Sequence, residues 1–338
     1  MTKEDPTAAN RKRDHIELAF KSKVKREEID SRFYYEPVLQ PHPVDMSLEK
    51  DFLSIRLKTP IWVSSMTGGT EKGKLINENL ARICHDFGMG MGLGSCRSLL
   101  YSDEYLADFD VRKIIGDHQP LFGNLGIAQV EHLIADQKLV LVDELVDKLG
   151  LNGLIVHINP MQEWFQSEGD LIGKAPVETI SRLLDVAKYP VIVKEVGQGM
   201  GMGSLAALLQ LPLAAIDFGA SGGTNFALLE LLRNRDDRLE ELVPLVAVGH
   251  NADEMVTMVN ELAERLGDRR LCQEVIISGG IRNFLDGYYL MGKCNLNAVY
   301  GQASAFLKHA MGSYEQLYKF VETQVEGLKM ATAFLKVK

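Results

Sequence analysis

The chain has 338 residues, 46% of them hydrophobic and 25% charged, which excludes a disordered protein and leaves ample apolar material for a large core. No apolar run approaches the roughly 20 residues of a bilayer crossing, and the start Met1-Thr2-Lys3-Glu4-Asp5 lacks a secretory apolar stretch, so a cytoplasmic protein with no membrane partner is expected. Within a net charge of −9, residues 11–26 hold seven Lys or Arg against two acidic residues, a local +5 that leaves −14 elsewhere; this pattern argues against nucleic-acid binding and for capture of a small anion.

Residues 1–59 read as an N-terminal extension containing Pro37, Pro41 and Pro43. On a helix near its start, Arg11, Lys12 and His15 fall on one face by their spacing. Cations in a first helical turn oppose the helix dipole, a cost that a bound anion would remove. From residue 60 onward apolar runs alternate with amphipathic segments. Strands are expected at 60–66, 89–94, 120–125, 153–158, 191–196, 214–219, 274–280 and 298–301. Helices are expected between most of them, at 75–87, 130–149, 177–188, 204–209, 226–234, 253–266 and 283–291. Residues 245–248 compete as a ninth strand, and 313–335 read as a closing helix. Repeated strand–helix order with strands buried on both faces means a parallel sheet, and eight such units suggest a closed (β/α)8 TIM barrel spanning 60–312. Cys84, Cys96, Cys272 and Cys294 are widely spaced, as reduced, mostly buried thiols would be.

In such a barrel the loops after the strands form one pocket. Here they read Ser64-Ser65-Met66-Thr67-Gly68-Gly69, Gly94-Ser95-Cys96-Arg97, Gly123-Asn124-Leu125-Gly126, His157-Ile158-Asn159-Pro160-Met161-Gln162-Glu163, Lys194-Glu195-Val196-Gly197, Gly219-Ala220-Ser221-Gly222-Gly223-Thr224, Ser278-Gly279-Gly280-Ile281-Arg282 and Gly301-Gln302-Ala303. A single glycine-rich turn is a weak signal, but seven or eight in register exceed what turn chemistry requires. The last two match the recurrent barrel phosphate site, in which glycines expose backbone N–H groups and Arg282 adds charge. Lys194 at a strand end is a candidate for a Schiff base or for charge stabilisation, so pyridoxal phosphate and FMN both fit at this point.

Taken together, Asn10-Arg11-Lys12-x-x-His15, Ser65-Met66-Thr67-Gly68-Gly69, Gly94-Ser95-x-Arg97, His157-x-Asn159-x-x-Gln162-Glu163, Val193-Lys194-Glu195-Val196-Gly197, Gly222-Gly223-Thr224 and Ser278-Gly279-Gly280-Ile281-Arg282 resemble type 2 isopentenyl-diphosphate isomerases, FMN-dependent (β/α)8 enzymes of isoprenoid biosynthesis. The resemblance covers about residues 10–310. Its glycine motifs are shared with other flavin barrels, whereas the basic motif combined with H-x-N-x-x-Q-E is particular to the family.

The resemblance implies FMN against Ser65, Met66, Thr67, Gly68, Ser95, Asn124, Lys194, Gly223 and Thr224, with its phosphate at Gly279, Gly280, Arg282, Gln302 and Ala303. It implies a diphosphate substrate at Arg11, Lys12, His15, Arg97, His157, Asn159 and Gln162, Mg²⁺ on Glu163, and catalytic roles for Gln162, Lys194 and His157. It further implies proton transfer by reduced FMN, NADPH only as the reductant that prepares the flavin, and a homo-oligomer, tetramer or octamer. An FMN-dependent oxidoreductase of the 2-hydroxy-acid oxidase or dihydroorotate dehydrogenase type is the alternative on the same barrel. Three departures from the family pattern stand out. Gly249-His250-Asn251-Ala252 stands for Gly-Ile-Pro-Thr, Asn225-Phe226 for Ser-Trp, and Tyr289 for a Lys three residues after Asp286. Cys96 replaces a larger polar residue and reads as loop packing rather than as a nucleophile.

Overall fold

A computed structural model describes residues 8–65, 72–233 and 241–338. Its strands are β1 Phe33–Tyr35, β2 Lys50–Phe52, β3 Ile55–Leu57, β4 Ile61–Val63, β5 Gly90–Gly92, β6 Leu121–Gly126, β7 Gly153–Ile158, β8 Val191–Glu195, β9 Ala215–Asp217, β10 Glu274–Ser278, β11 Asn297–Gln302 and β12 Leu335–Val337. The eight strands β4 to β11 close into one parallel barrel in chain order, and β11 returns to β4 through Tyr300↔Ile61, Gly301↔Trp62 and Gln302↔Val63. This is the (β/α)8 architecture expected from the alternating pattern.

Alternation along the strands sorts the side chains into two cores. Outward residues such as Leu154, Val156, Val191, Val193, Val275 and Ile277 pack under the helices. Inward residues Trp62, Phe122, Ile155, Ile192, Ala215, Ile276 and Val299 form a separate cluster inside the barrel. Phe52 and Leu57, from the antiparallel β2–β3 hairpin, join that inner cluster, so the extension plugs the barrel with a Phe52–Trp62–Phe122 series of edge-to-face rings. Two residues further along each strand, the same inward direction belongs to Ser64, Asn124, His157, Lys194, Asp217, Ser278 and Gly301. A polar layer therefore lies directly on an apolar one.

Several local expectations are corrected. The segment 245–248 adds no ninth strand, because Val243–Val246 forms a short helix opened by a proline at its first turn. The helix expected over 130–149 is two helices, Ile127–Ala135 and Val140–Leu149, divided where Gln137 adopts φ 58° and ends the first. The closing helix, Tyr314–Phe334, is capped by Ser313 and runs into β12, which pairs with β1 through Phe33↔Val337 and Tyr35↔Leu335. Short strands of three residues carry too few alternations for a sequence pattern to reveal them.

Gly90 on β5 makes room for the plug: a Cβ there would lie 2.2 Å from the Trp62 ring, itself buried. Gly90→Ala is expected to lower stability by about 1–3 kcal/mol through overpacking. Urea unfolding of the purified variant checks this, and an unchanged midpoint would show that Trp62 yields without cost.

Candidate active site

Two adjoining cavities open above the polar layer. The larger, of about 430 Å³, is walled by the ends of β9, β10 and β11, including Gly219, Gly222, Gly223, Thr224, Ser278, Gly279, Gly280, Arg282, Gln302 and Ala303. The smaller, of about 140 Å³, is walled by Gly94, Ser95, Asn124, His157 and Gln162. Ser65, Lys194, Val196 and Phe226 line both. Most residues singled out from the sequence are thus brought to one end of the barrel. Met66, Thr67 and Gly68 lie outside the described residues.

The larger cavity is a backbone surface. Gly279 adopts φ 88°, and a Cβ on it would stand 2.0 Å from the Ala220 carbonyl oxygen. The loops after β9 and β10 can therefore approach main chain to main chain, and only glycine permits it. The helix Ser304–Ala310 begins at the cavity wall without a side-chain cap, which leaves first-turn N–H groups for an anion. Ser64 and Ser65 each bury a hydroxyl oxygen that has no hydrogen-bond partner among the described residues. Such groups cost free energy unless a bound molecule satisfies them.

Between the cavities, Lys194 is buried and donates from Nζ to the Glu195 carbonyl oxygen at 2.7 Å. In register it stands between His157 on β7 and Asp217 on β9. Asp217 was not singled out from the sequence, because it falls inside the strand expected over 214–219, whereas in the structure it ends β9. A carboxylate in the run Ala214-Ala215-Ile216-Asp217-Phe218 is the signal that would have found it. It is fully buried, accepts a very short hydrogen bond from the Ser278 hydroxyl, and has a second oxygen without a partner among the described residues. Burial pushes its pKa up, opposed by the Lys194 charge and the Ser278 bond. Glu195, also unforeseen, receives the backbone N–H groups of Gly197, Gln198 and Gly199 at 2.7–2.9 Å and so folds the loop after β8 around its carboxylate.

His157 Nδ1 donates to Asn124 Oδ1 at 2.7 Å. Burial and the Lys194 charge depress this imidazole to about 3, so it is neutral near pH 7. Asn159 Nδ2 donates to Gln162 Oε1 at 3.2 Å and to Glu163 Oε1 at 2.8 Å, which fixes Gln162 at the cavity wall and Glu163 behind it. The Asp170 N–H donates to the other Glu163 oxygen at 2.8 Å, while Asn159 Oδ1 is buried without a partner among the described residues. Arg97 is half-exposed and pairs with Asp170 at 2.7 Å. Arg11, Lys12 and His15 ride on the helix Ala8–Leu18, are exposed, and line neither cavity. The basic helix is therefore not part of the cavity walls in this conformation. Cys96 is buried and its thiol is pushed up to about 12 by desolvation, which fits packing and not nucleophilic chemistry.

The departures also have structural work. Asn251 caps the helix Ala252–Leu266 through a reciprocal bond pair with Glu254. The amide of Asn225 braces its loop by donating to the Val246 carbonyl and accepting from Leu228 N–H.

No protein-family model matches the chain. An isopentenyl-diphosphate delta-isomerase of Mycolicibacterium vanbaalenii is 35% identical over 295 residues, covering 83% of this chain and 80% of that protein. One of Rickettsia peacockii is 30% identical over 335 residues, covering 98% and 94%. The chain belongs to the isopentenyl-diphosphate delta-isomerase family. Among solved structures, the flavin-binding domain of baker's yeast flavocytochrome b2 superposes on this family member with a TM-score of 0.58 at 15% identity, covering 89% of this chain and 72% of that one. A mandelate oxidase carrying an FMN adduct does so with a TM-score of 0.55 at 14% identity, covering 91% and 88%. At that identity the likeness establishes the shared barrel.

The depressed imidazole of this isomerase makes a prediction. Unfolded, His157 takes up a proton near its ordinary value of about 6.5; folded, it does so only near 3. The stability it contributes is present above the unfolded value and is lost as pH falls toward the folded one. His157→Asn, which cannot take up the proton, is expected to flatten the decline in unfolding free energy between pH 6.5 and 4. Parallel curves for the two proteins would refute the assignment.

Proposed function

We propose that the enzyme interconverts isopentenyl diphosphate and dimethylallyl diphosphate in isoprenoid biosynthesis, using FMN held in the larger cavity beside an isoprenoid site in the smaller one. The observation that carries the reading is the pair of cavities meeting at Lys194 and Ser65, one a glycine cradle for a phosphate and the other walled by two amides and a neutral imidazole. The unpartnered Ser64 and Ser65 hydroxyls and the glycine surface fit such a cofactor. In this reading Ser65, Ser95, Asn124, Lys194, Gly223 and Thr224 hold the ring system, with Gly279, Gly280, Arg282, Gln302 and Ala303 around the phosphate. When bound in reduced form, FMN would supply the acid–base group that the isomerisation needs without net redox change, NADPH serving only to reduce it.

The chain's own residues then prepare the reaction. Double-bond migration adds a proton at one carbon and removes one at another, so charge must be steadied over a nearly apolar fragment. Lys194 supplies a fixed cation between the cavities, held by the Glu195 carbonyl and standing beside Asp217 on the neighbouring strand. Gln162 is too weak an acid to move the proton itself and orients the hydrocarbon, with its oxygen turned to Asn159. Arg97, Asn159 and His157, joined by Arg11, Lys12 and His15 from the basic helix, would carry the diphosphate. Glu163 would hold Mg²⁺ together with substrate oxygens and water, and the unpartnered Asn159 Oδ1 beside it suits a hard cation. Apolar side chains exposed along the N-terminal segment, among them Ile16, Phe20, Val24, Val38 and Leu39, support assembly of copies into a tetramer or octamer.

Incubation with isopentenyl diphosphate, Mg²⁺, FMN and a flavin reductant is expected to yield dimethylallyl diphosphate without reductant consumed in proportion. Stoichiometric consumption would favour the oxidoreductase alternative. Gln162→Ala and Lys194→Ala are each expected to slow turnover by about 100-fold or more with the barrel still folded, and wild-type rates in both would remove the site assignment. Arg11→Ala should raise KM with kcat little changed, the pattern of lost substrate binding.

A further inference from the structure

The phosphate end of the larger cavity contains a carboxylate that calls for an explanation. Asp286 lies in the first turn of the helix Phe284–Lys293, which follows directly on the loop Gly279-Gly280-Ile281-Arg282. It is nearly buried, and its Oδ2 accepts the backbone N–H of Arg282 at 3.0 Å. One N–H of the loop is thereby turned toward an acid, and a negative charge stands behind the place where a phosphate would sit. The Arg282 guanidinium offsets it only weakly, being highly exposed with Nε 3.8 Å from Asp286 Oδ2.

The closer cation comes from outside the barrel. Arg32 Nη1 donates to Asp286 Oδ1 at 2.8 Å. The rest of that guanidinium is occupied by Asp30, which takes Nε at 2.9 Å and Nη2 at 2.7 Å, and its plane lies 5.3 Å from the ring centres of both Phe33 and Tyr289. Its backbone is held as firmly, since the Arg32 carbonyl accepts the Lys338 N–H at 3.1 Å beside the β1–β12 pair. Tyr288, on the same helix as Asp286, ties to β12 by donating to the Leu335 carbonyl at 2.9 Å. A side chain fixed in this way, with both acidic partners and two rings, is preorganised rather than a loose surface cation.

We propose that Arg32 is a positioning residue for the phosphate-binding loop. By sharing its charge between Asp30 and Asp286 it offsets part of the Asp286 charge and lets that carboxylate orient Arg282 N–H with less repulsion of a phosphate, so that cofactor affinity depends on the N-terminal segment. This rests on the assignment of FMN to the larger cavity. The effect is specific to the phosphate: the ring system of the cofactor has no charge for Asp286 to repel.

The test measures the dissociation constants of FMN and of riboflavin, which lacks the phosphate, by flavin fluorescence on the full-length apoprotein. Arg32→Met is expected to weaken FMN roughly tenfold, the scale of a partly buried charge pair, and to leave riboflavin unchanged. Arg32→Lys should fall between the two. Adding Asp286→Asn to Arg32→Met removes the repulsion and should restore FMN binding to within about twofold of wild type, a coupling that a double-mutant cycle reads directly. Asp286→Asn alone, which keeps an acceptor for Arg282 N–H and leaves Arg32 its Asp30 partner, should bind FMN at least as well as wild type. Parallel losses of FMN and riboflavin, or failure of Asp286→Asn to rescue, would show that Arg32 only supports the fold and would overturn the proposal. Wild-type protein that binds riboflavin and FMN equally would overturn it as well. Wild-type protein that binds neither flavin removes the cofactor assignment and this inference with it, whereas tight wild-type FMN binding that ignores Arg32 removes the inference alone.

Discussion

The two-residue period of a β-strand is the constraint from which the rest of this molecule follows. On seven of the eight barrel strands an inward apolar or aromatic residue is followed, two positions on, by an inward polar residue or glycine. The lower layer, closed by Phe52, Leu57 and Trp62, keeps water away from the upper one. Charges placed on such a floor interact several times more strongly than in bulk solvent, roughly fourfold at the effective dielectric that suits protein sites. That is why Lys194 can add to the burial that keeps His157 neutral and temper the raised pKa of Asp217 without a direct contact being needed for either effect.

Above that floor, the site is built from main chain as much as from side chains. The loops after β9 and β10 touch backbone to backbone at Gly279 and Ala220, and the loop after β8 is gathered by three N–H groups on the Glu195 carboxylate. Buried polar groups in these loops are costly unless paired. Of the six buried side-chain groups left unpaired among the described residues, four, on Ser64, Ser65, Asn159 and Asp217, belong to the polar layer or the loops just above it, while Trp62 Nε1 and Arg270 Nε lie elsewhere. Four of the six collect where a ligand could satisfy them, a pattern that fits the candidate site.

The barrel and most of its pocket were legible from residue order because the long strands β6, β7, β8, β10 and β11 carry clear apolar runs ended by glycine-rich turns. The same method does not see what is set by distant partners. Asp217 ends a three-residue strand that the apolar run makes look longer, so only its carboxylate within that run marks it. Arg32 has no motif around it, and its meaning comes from Asp286, far away in the chain. The break at Gln137 is equally hidden, since a glutamine with positive φ contradicts local preference and is tolerated only because the two flanking helices each pack on the barrel. The basic motif was recognisable from its residues, but its helix is exposed, so residue order located a chemistry and not its place.

The ribbon formed by β1 and β12 ties the beginning of the fold to its end. Phe33 cannot meet Val337 until everything between them has been translated, and Lys338 is the residue that closes on the Arg32 carbonyl. A nascent chain could close all eight barrel strands and still lack this clasp, a pairing of very large sequence separation that is costly to form early. Ribosome-bound intermediates and proteolytic fragments ending before residue 335 would therefore resemble the finished barrel in their circular dichroism while lacking the clasp that ties the leader down.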